Sequence, residues 1–260
     1  MKSITSRDNP LYKELKHLAS SSQARRKASR TLLDGVHLCE AYLQHGGVPQ
    51  TCVVSESSLA HHEVDPLLAR CAAGGTQTIC LPDALYSALS QVEHGVGLMF
   101  IIATPILELP AVLDQSSVLL DNLQDPGNLG SILRSAAAAG IKNVFCSMGT
   151  VFSWSPKVMR SGMGAHFLLN IYENVNLESL LKTASIPILA TSSHASQTIY
   201  DVNLNQPVAW LFGHEGQGVA DELMQLATHN VTIPQRGEIE SLNVAASAAI
   251  CFFEQVRQGL

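Results

Sequence analysis

Residues 119–140, LLDNLQDPGNLGSILRSAAAAG, decide the fold. The segment leaves an apolar strand, turns tightly through D-P-G-N, and enters a helix of small residues that Gly140 closes. Its polar side chains, among them Asn122, Asp125, Asn128 and Arg134, gather where strand becomes helix. Arg134 stands alone in a helix otherwise made of Leu, Ile, Ser and Ala. Such an arginine either snorkels to solvent or is held for a specific anion.

Downstream, NVFCS, IPILATS, VAWLFG and NVTIP are apolar, β-branched-rich runs of strand length. Helical stretches around residues 128–140, 155–164, 176–185 and 219–228 separate them, and VAASAAICFFEQVRQ forms a last helix. Buried parallel strands alternating with helices predict an α/β domain with a doubly wound parallel sheet and a ligand site at the carboxyl ends of its strands. Upstream, PLYKELKHLA (10–19) has helical periodicity, with Pro10 suited to a first turn, and a polar stretch, SSSQARRKASR, follows. TLLDG, TCVVS, TQTICL and GLMFIIA then read as strands alternating with helices in VHLCEAYLQHG, DPLLARCAA and PDALYSALS. That is a second compact α/β unit of roughly 100 residues. ATPILELPAVLDQSS, with Pro105 and Pro110, reads as a linker, so the expected division is 1–104, linker 105–116, and 117–260.

A chain of 260 residues with 46% hydrophobic and 15% charged residues belongs with soluble globular proteins and accommodates two domains. No apolar run reaches the roughly 18–20 residues of a membrane span, and MKSITSRDNP lacks a signal-peptide core, which makes a cytoplasmic location the default expectation. The cysteines (Cys39, Cys52, Cys71, Cys80, Cys146, Cys251) form no C-x-x-C pair and predict buried, reduced thiols. The ten histidines, including His61-His62 and His214, show no ligand spacing with a second donor, so no metal is expected. The net charge of −6 argues at first sight against a nucleic-acid partner. Yet residues 1–30 carry eight of the sixteen Lys and Arg, among them Arg7, Arg25, Arg26, Lys27 and Arg30, against only Asp8 and Glu14. This basic arm fits a polyanion partner or a solvated helix face equally well.

Two further clusters carry possible chemistry. In LFGHEGQGV (211–219) a strand runs into Gly213, Gly216 and Gly218, with Glu215 the only charge; the glycines permit close backbone approach to a ligand, or form a simple turn. Their order is not the G-x-G-x-x-G of a dinucleotide fingerprint, which counts against a dinucleotide-dependent oxidoreductase. In IPQRGEIESLNVAASAAICFFE (233–254), Ser241-Leu242-Asn243 precedes a helix, where Ser241 or Asn243 fits an N-cap as well as a site residue.

In order and spacing, D-N-L-Q-D-P-G-N-L-G-S-I-L-R, F-G-H-E-G-Q-G and I-P-x-x-G-x-x-x-S-L-N-V-A closely resemble the three signature motifs of the SpoU family, the TrmH-like RNA ribose 2′-O-methyltransferases. SPKVMRSGMGAHF resembles the segment between the first two motifs. ITSRDNPLYKEL and LLDGVHLCEA are similar to the family's ribosomal-protein-like substrate-binding domain, although Asp34 stands where Glu is expected.

The resemblance implies S-adenosylmethionine as cofactor, a deep trefoil knot in the C-terminal part of the sheet, and a homodimer packed through the knot region; the apolar Ile250, Cys251, Phe252 and Phe253 fit such an interface and plain core equally well. It implies a cofactor pocket around Thr191, Phe212, Gly213, Ile233 and Leu242. It assigns the central catalytic role to Arg134, with Asn128 and Glu215 positioning the arginine or the ribose and Ser241 and Asn243 shaping the pocket. A guanidinium offers only N–H donors and is a poor base, so alkoxide stabilisation and phosphate binding suit Arg134 better. The front domain favours ribosomal RNA over transfer RNA as the substrate; a non-catalytic RNA-binding protein on the same fold is the other alternative.

Overall fold

A computed structural model describes residues 1–92 and 95–259 of the chain. They fall into two compact units, one formed by 1–92 and 95–106 with 154–167 and the other by 107–153 with 168–259.

In the first unit β1 (Lys2–Ser3) leads to α1 (Pro10–Ser20) and α2 (Ser22–Ala28); β2 (Arg30–Asp34), α3 (Val36–Gln44), β3 (Thr51–Ser55), α4 (Asp65–Ala73), β4 (Gln77–Leu81), α5 (Asp83–Ser87) and β5 (Leu98–Ala103) follow. The sheet order is β1-β4-β3-β5-β2, with β5 antiparallel to both of its neighbours. Tyr12, Leu15 and Leu18 on α1 pack with Val53, Ile79, Met99 and Ile101 of the sheet.

The polar stretch after α1 is helical, contrary to its composition. Ser21 caps α2 by accepting the Ala24 N–H at 3.1 Å, and Arg25 turns back to donate to the Leu18 and Ala19 carbonyls at 2.6 and 3.1 Å. These carbonyls lie at the end of α1, where helical acceptors lack partners of their own. Arg25 is therefore buried, not a member of an open basic face, and burial lowers its pKa. Arg30 is ion-paired with Glu14. Arg7, Arg26 and Lys27 are exposed.

The first unit is completed by residues from far along the chain. After Trp154, helix α7 of the second half (Pro156–Gly162) packs on β2, the Thr31 hydroxyl donates to the Trp154 carbonyl at 2.5 Å, and Phe167 meets Tyr42 edge-on at 5.2 Å. A linear division of the sequence does not anticipate this. Trp154 and Val158 are buried, and their apolar surface is what the first unit retains.

The second unit contains β6 (Ser117–Leu120), α6 (Pro126–Ala138), β7 (Asn143–Ser147), β8 (Asn170–Val175), α8 (Leu177–Leu181), β9 (Ile188–Thr191), β10 (Gln197–Thr198), β11 (Ala209–Phe212), α9 (Asp221–Met224), β12 (His229–Thr232) and α10 (Val244–Gly259). Its seven strands run in the order β10-β12-β9-β11-β6-β7-β8, all pairs parallel. The two-residue period divides β11 between two faces. Ala209 and Leu211 join Leu180, Leu181 and Leu223 of α8 and α9, whereas Phe212 packs edge-on against Phe252 of α10 at 5.8 Å and Trp210 donates its indole N–H to Gln255 at 2.9 Å. Such burial on both faces explains the uninterrupted apolar reading of these strands. The edge strand β8 escapes pattern reading because it is polar and irregular, with Asn174 at φ 56° and a register shift opposite Phe145–Ser147. All six cysteines are buried and free. No helix among the described residues is long and apolar enough to cross a membrane.

Trp154 is 3% exposed, so Trp154→Ala leaves a large cavity in the first unit. A loss of about 3–5 kcal/mol is expected in urea denaturation of the full chain; a loss under about 1 kcal/mol contradicts the described packing.

Candidate active site

Strands β12, β9, β11 and β6 lie side by side and end nearly level: Val231 pairs with Thr191, Leu211 with Ala190, and Phe212 with Leu120. The chain leaves these ends at Asp121, Ser192, Gly213 and Ile233, so all three polar clusters of the sequence open on one edge of the sheet. The crevice at the carboxyl ends of parallel strands is where such sheets bind ligands.

One carboxylate joins two of the clusters, and an amide extends the connection to the third. Asp125 caps α6, its side chain accepting the Asn128 N–H at 2.8 Å, and Pro126 occupies the first turn, where its missing N–H costs nothing. Glu215, from the loop after β11, accepts the Gln124 N–H at 3.2 Å, the Asp125 N–H at 3.0 Å and the Asn128 amide at 3.1 Å. A negative charge at the start of a helix is favoured by the unpaired N–H groups and the helix dipole. The Asn128 oxygen in turn accepts from the Asn243 amide at 2.9 Å, and the Asn243 oxygen accepts the Ala245 and Ala246 N–H groups at the start of α10. Asn243 thus caps the start of α10 and also joins the third cluster to the first.

Partial burial by itself raises the Glu215 carboxyl, but N–H groups of Asp125, Glu215 itself and Gln124, with the Asn128 amide, outweigh burial and hold it below the usual glutamate range.

The loop that presents Glu215 is tight. A Cβ on Gly213 would lie 2.0 Å from the Gly218 carbonyl carbon, and Gly218 itself has φ +74°, so glycine is required at both places. Phe212 turns its side chain into the core, leaving its backbone at the site, where its carbonyl accepts the Asp121 N–H at 2.8 Å. The Thr191 hydroxyl donates to the Leu211 carbonyl at 3.2 Å, tying β9 to β11. Ile233 and Leu242 are half-buried. Arg134 and Ser241 are exposed, and neither has a hydrogen-bond or ion-pair partner among the described residues. The side chains brought into direct contact are therefore Glu215, Asn128 and Asn243, while Arg134 stands free further along α6.

The model of the SpoU rRNA methylase family matches residues 115–253, which contain all of this constellation. The chain belongs to the SpoU methylase family. It is 34% identical to a tRNA/rRNA methyltransferase of Synechocystis described as uncharacterized, over 98% of this chain and 94% of that protein. It is 29% identical to a Bacillus subtilis 23S rRNA (guanosine-2′-O)-methyltransferase, over 97% and 98% of the two chains. A solved structure of an AdoMet-bound rRNA methyltransferase from Sinorhizobium meliloti superposes with a TM-score of 0.87 at 26% identity, covering 100% of this chain and 98% of that one.

Beyond the motif residues picked from the sequence, this SpoU site uses Asp121, whose carboxylate accepts the Ala220 N–H at 3.2 Å and fastens the far end of the Glu215 loop. Gln124 also contributes, its amide donating to the Asn122 side chain at 2.8 Å and to the Gly149 carbonyl at 2.6 Å. Neither role was legible, because the Asp121 contact to Ala220 and the Gln124 contact to Gly149 span 99 and 25 residues of chain. In the loop after β12, the Gln235 carboxamide oxygen is buried without a partner among the described residues. Buried acceptors are rarely left unpaired, so this one fits a bound group that carries an N–H or O–H donor.

A depressed carboxyl stabilises the fold fully above its unfolded value, about 4.3 for Glu, and loses that contribution as pH falls through the folded value. Urea denaturation of wild type and Glu215→Gln at stepped pH is therefore expected to show a wild-type advantage at neutral pH that shrinks toward zero below about pH 4. An advantage independent of pH contradicts the clamp.

Proposed function

We propose that the chain transfers the methyl group of S-adenosylmethionine to a ribose 2′-hydroxyl of ribosomal RNA, with Arg134 as the residue that stabilises the reacting oxygen. It is an RNA ribose 2′-O-methyltransferase with S-adenosylmethionine as cofactor. The observation that carries the reading is the union of the three family motifs at one sheet edge through Glu215, Asn128 and Asn243.

The cofactor supplies an electrophilic methyl on a sulfonium. Ile233 and Leu242 offer it half-buried apolar surface, Gly213 and Phe212 offer backbone, Thr191 lies at the neighbouring strand end, and Gln235 provides an unpaired buried acceptor suited to an amino or hydroxyl donor. The 2′-hydroxyl becomes a nucleophile as its proton leaves to solvent. The Arg134 guanidinium, a cation with several N–H donors, lowers the energy of the developing alkoxide and holds the adjacent phosphate. Its freedom from internal partners suits a side chain reserved for substrate. Glu215 and Asn128 fix the start of the helix that carries Arg134, and Asn243 holds the start of α10. Ser241, exposed beside Leu242, is assigned to the pocket wall.

The first unit is assigned to RNA binding through Arg7, Arg26 and Lys27, with Arg25 and Arg30 in structural roles. β11 lies between β6 and β9 although both precede it in the chain, and this late insertion supports the trefoil knot that the family resemblance implies. On α10, Cys251 and Phe252 are core, but Phe253 is 49% exposed and Ile250 lies on the same helix at 36%, which supports a second copy as cover. A ribosomal RNA substrate fits a cytoplasmic location.

Arg134→Ala is expected to lower methyl transfer to ribosomal RNA by at least about a hundredfold while leaving calorimetric binding of S-adenosylhomocysteine nearly unchanged; undiminished transfer removes Arg134 from the mechanism. Reversing the charges of Arg26 and Lys27 should weaken RNA binding and flatten its salt dependence; unaltered binding returns the arm to a solvated face.

A further inference from the structure

We propose that His214 is a positioning residue for methyl transfer: its neutral ring, accepting at Nδ1, holds the 214–218 turn in the shape that presents Glu215 to the start of α6. The proposal rests on the catalytic reading of Arg134 and its support by Glu215 and Asn128.

The ring reaches forward over its own loop. Its Nδ1 accepts the Gly216 N–H at 3.0 Å and the Gln217 N–H at 3.3 Å. The His214 backbone meanwhile pairs with Gly218 in both directions, at 2.9 and 2.8 Å. Glu215 lies inside this closed turn, and its carboxylate makes the three contacts to Gln124, Asp125 and Asn128. Two N–H groups converging on one ring nitrogen need its lone pair, so the ring proton sits on Nε2. Removing the acceptor leaves two adjacent N–H groups to water and releases the section of loop next to Glu215. The bridge to Gly218 is backbone only and survives, so the Gly213 side of the loop, where the cofactor belongs, keeps its form. The loss therefore falls on the rate of transfer and spares cofactor affinity.

The role depends on an acceptor atom and not on ring volume, which separates it from plain packing. Phe keeps a ring and has no acceptor. Asn has no ring, but its side-chain oxygen accepts from N–H groups two and three residues ahead, as turn-forming Asn residues do.

The test compares full-length wild type, His214→Phe, His214→Ala, His214→Asn and Arg134→Ala. Three readouts are used: amide hydrogen exchange over 214–218, calorimetric binding of S-adenosylhomocysteine, and single-turnover methyl transfer to ribosomal RNA from a strain lacking the enzyme. His214→Phe and His214→Ala are expected to lose protection at 216 and 217, keep affinity within about threefold, and transfer methyl at least about tenfold more slowly. His214→Asn restores protection and most of the rate. The proposal is overturned if Phe and Ala variants transfer at the wild-type rate, or if the Asn variant is as slow as they are. Its failure alone shows as normal transfer in the Phe and Ala variants with Arg134→Ala inactive. A wild type that transfers nothing overturns the catalytic reading and this proposal together.

Discussion

A carboxylate placed against the open end of a helix is the interaction on which the site depends. Glu215 meets two backbone N–H groups and one amide around the start of α6, a position that a helix leaves unsatisfied unless something outside it supplies an acceptor. Because Asn128 passes the connection to Asn243, the starts of α6 and α10 are fixed relative to one another by hydrogen bonds between side chains. The order of the strands makes this possible. With β11 between β9 and β6, the loop that carries Glu215 emerges beside the turn that begins α6, although some 90 residues of chain separate them.

The same ordering accounts for where the glycines stand. Gly213 and Gly218 are needed so that the loop can fold back on itself within a few residues, which brings Glu215 to α6 and leaves strand-end backbone open beside it. Arg134, in contrast, has no hydrogen-bond or ion-pair partner among the described residues. A site that must hold a phosphate or a developing alkoxide benefits from a cation whose donors are not already used. The hydrogen bonds of the described residues thus go to the frame, and Arg134, the cation proposed to meet the substrate, lies outside it.

Much of this was legible in the sequence, for identifiable reasons. TCVVS and NVFCS are strands with the expected ends, and DPLLARCAA is a helix with the expected ends, because apolar continuity and Pro or Gly punctuation are local signals. The motif residues were visible as types in an order, and the resemblance gave them roles. What could not be read was each partner at long range. Within SSSQARRKASR, residues 22–28 form a helix that Ser21 caps and whose Arg25 satisfies the end of α1, a contact that requires α1 to be in place. The attachment of residues 154–167 to the first unit lies beyond any periodicity, since it depends on apolar surface that β2 and α3 leave to be covered. His214 read only as a histidine without a second metal donor at ligand spacing; its use as an acceptor appears only when the turn closes.

The central claim is that the oxygen methylated is a ribose 2′-hydroxyl. Methylation there blocks alkaline cleavage of the adjoining phosphodiester, so the position of the label can be read directly. Ribosomal RNA from a strain lacking the enzyme, incubated with the protein and S-adenosylmethionine labelled in its methyl group, is hydrolysed in alkali and separated by charge. Label recovered in alkali-resistant dinucleotides is the result expected here. Label recovered in mononucleotides, as base methylation gives, or no label at all contradicts it.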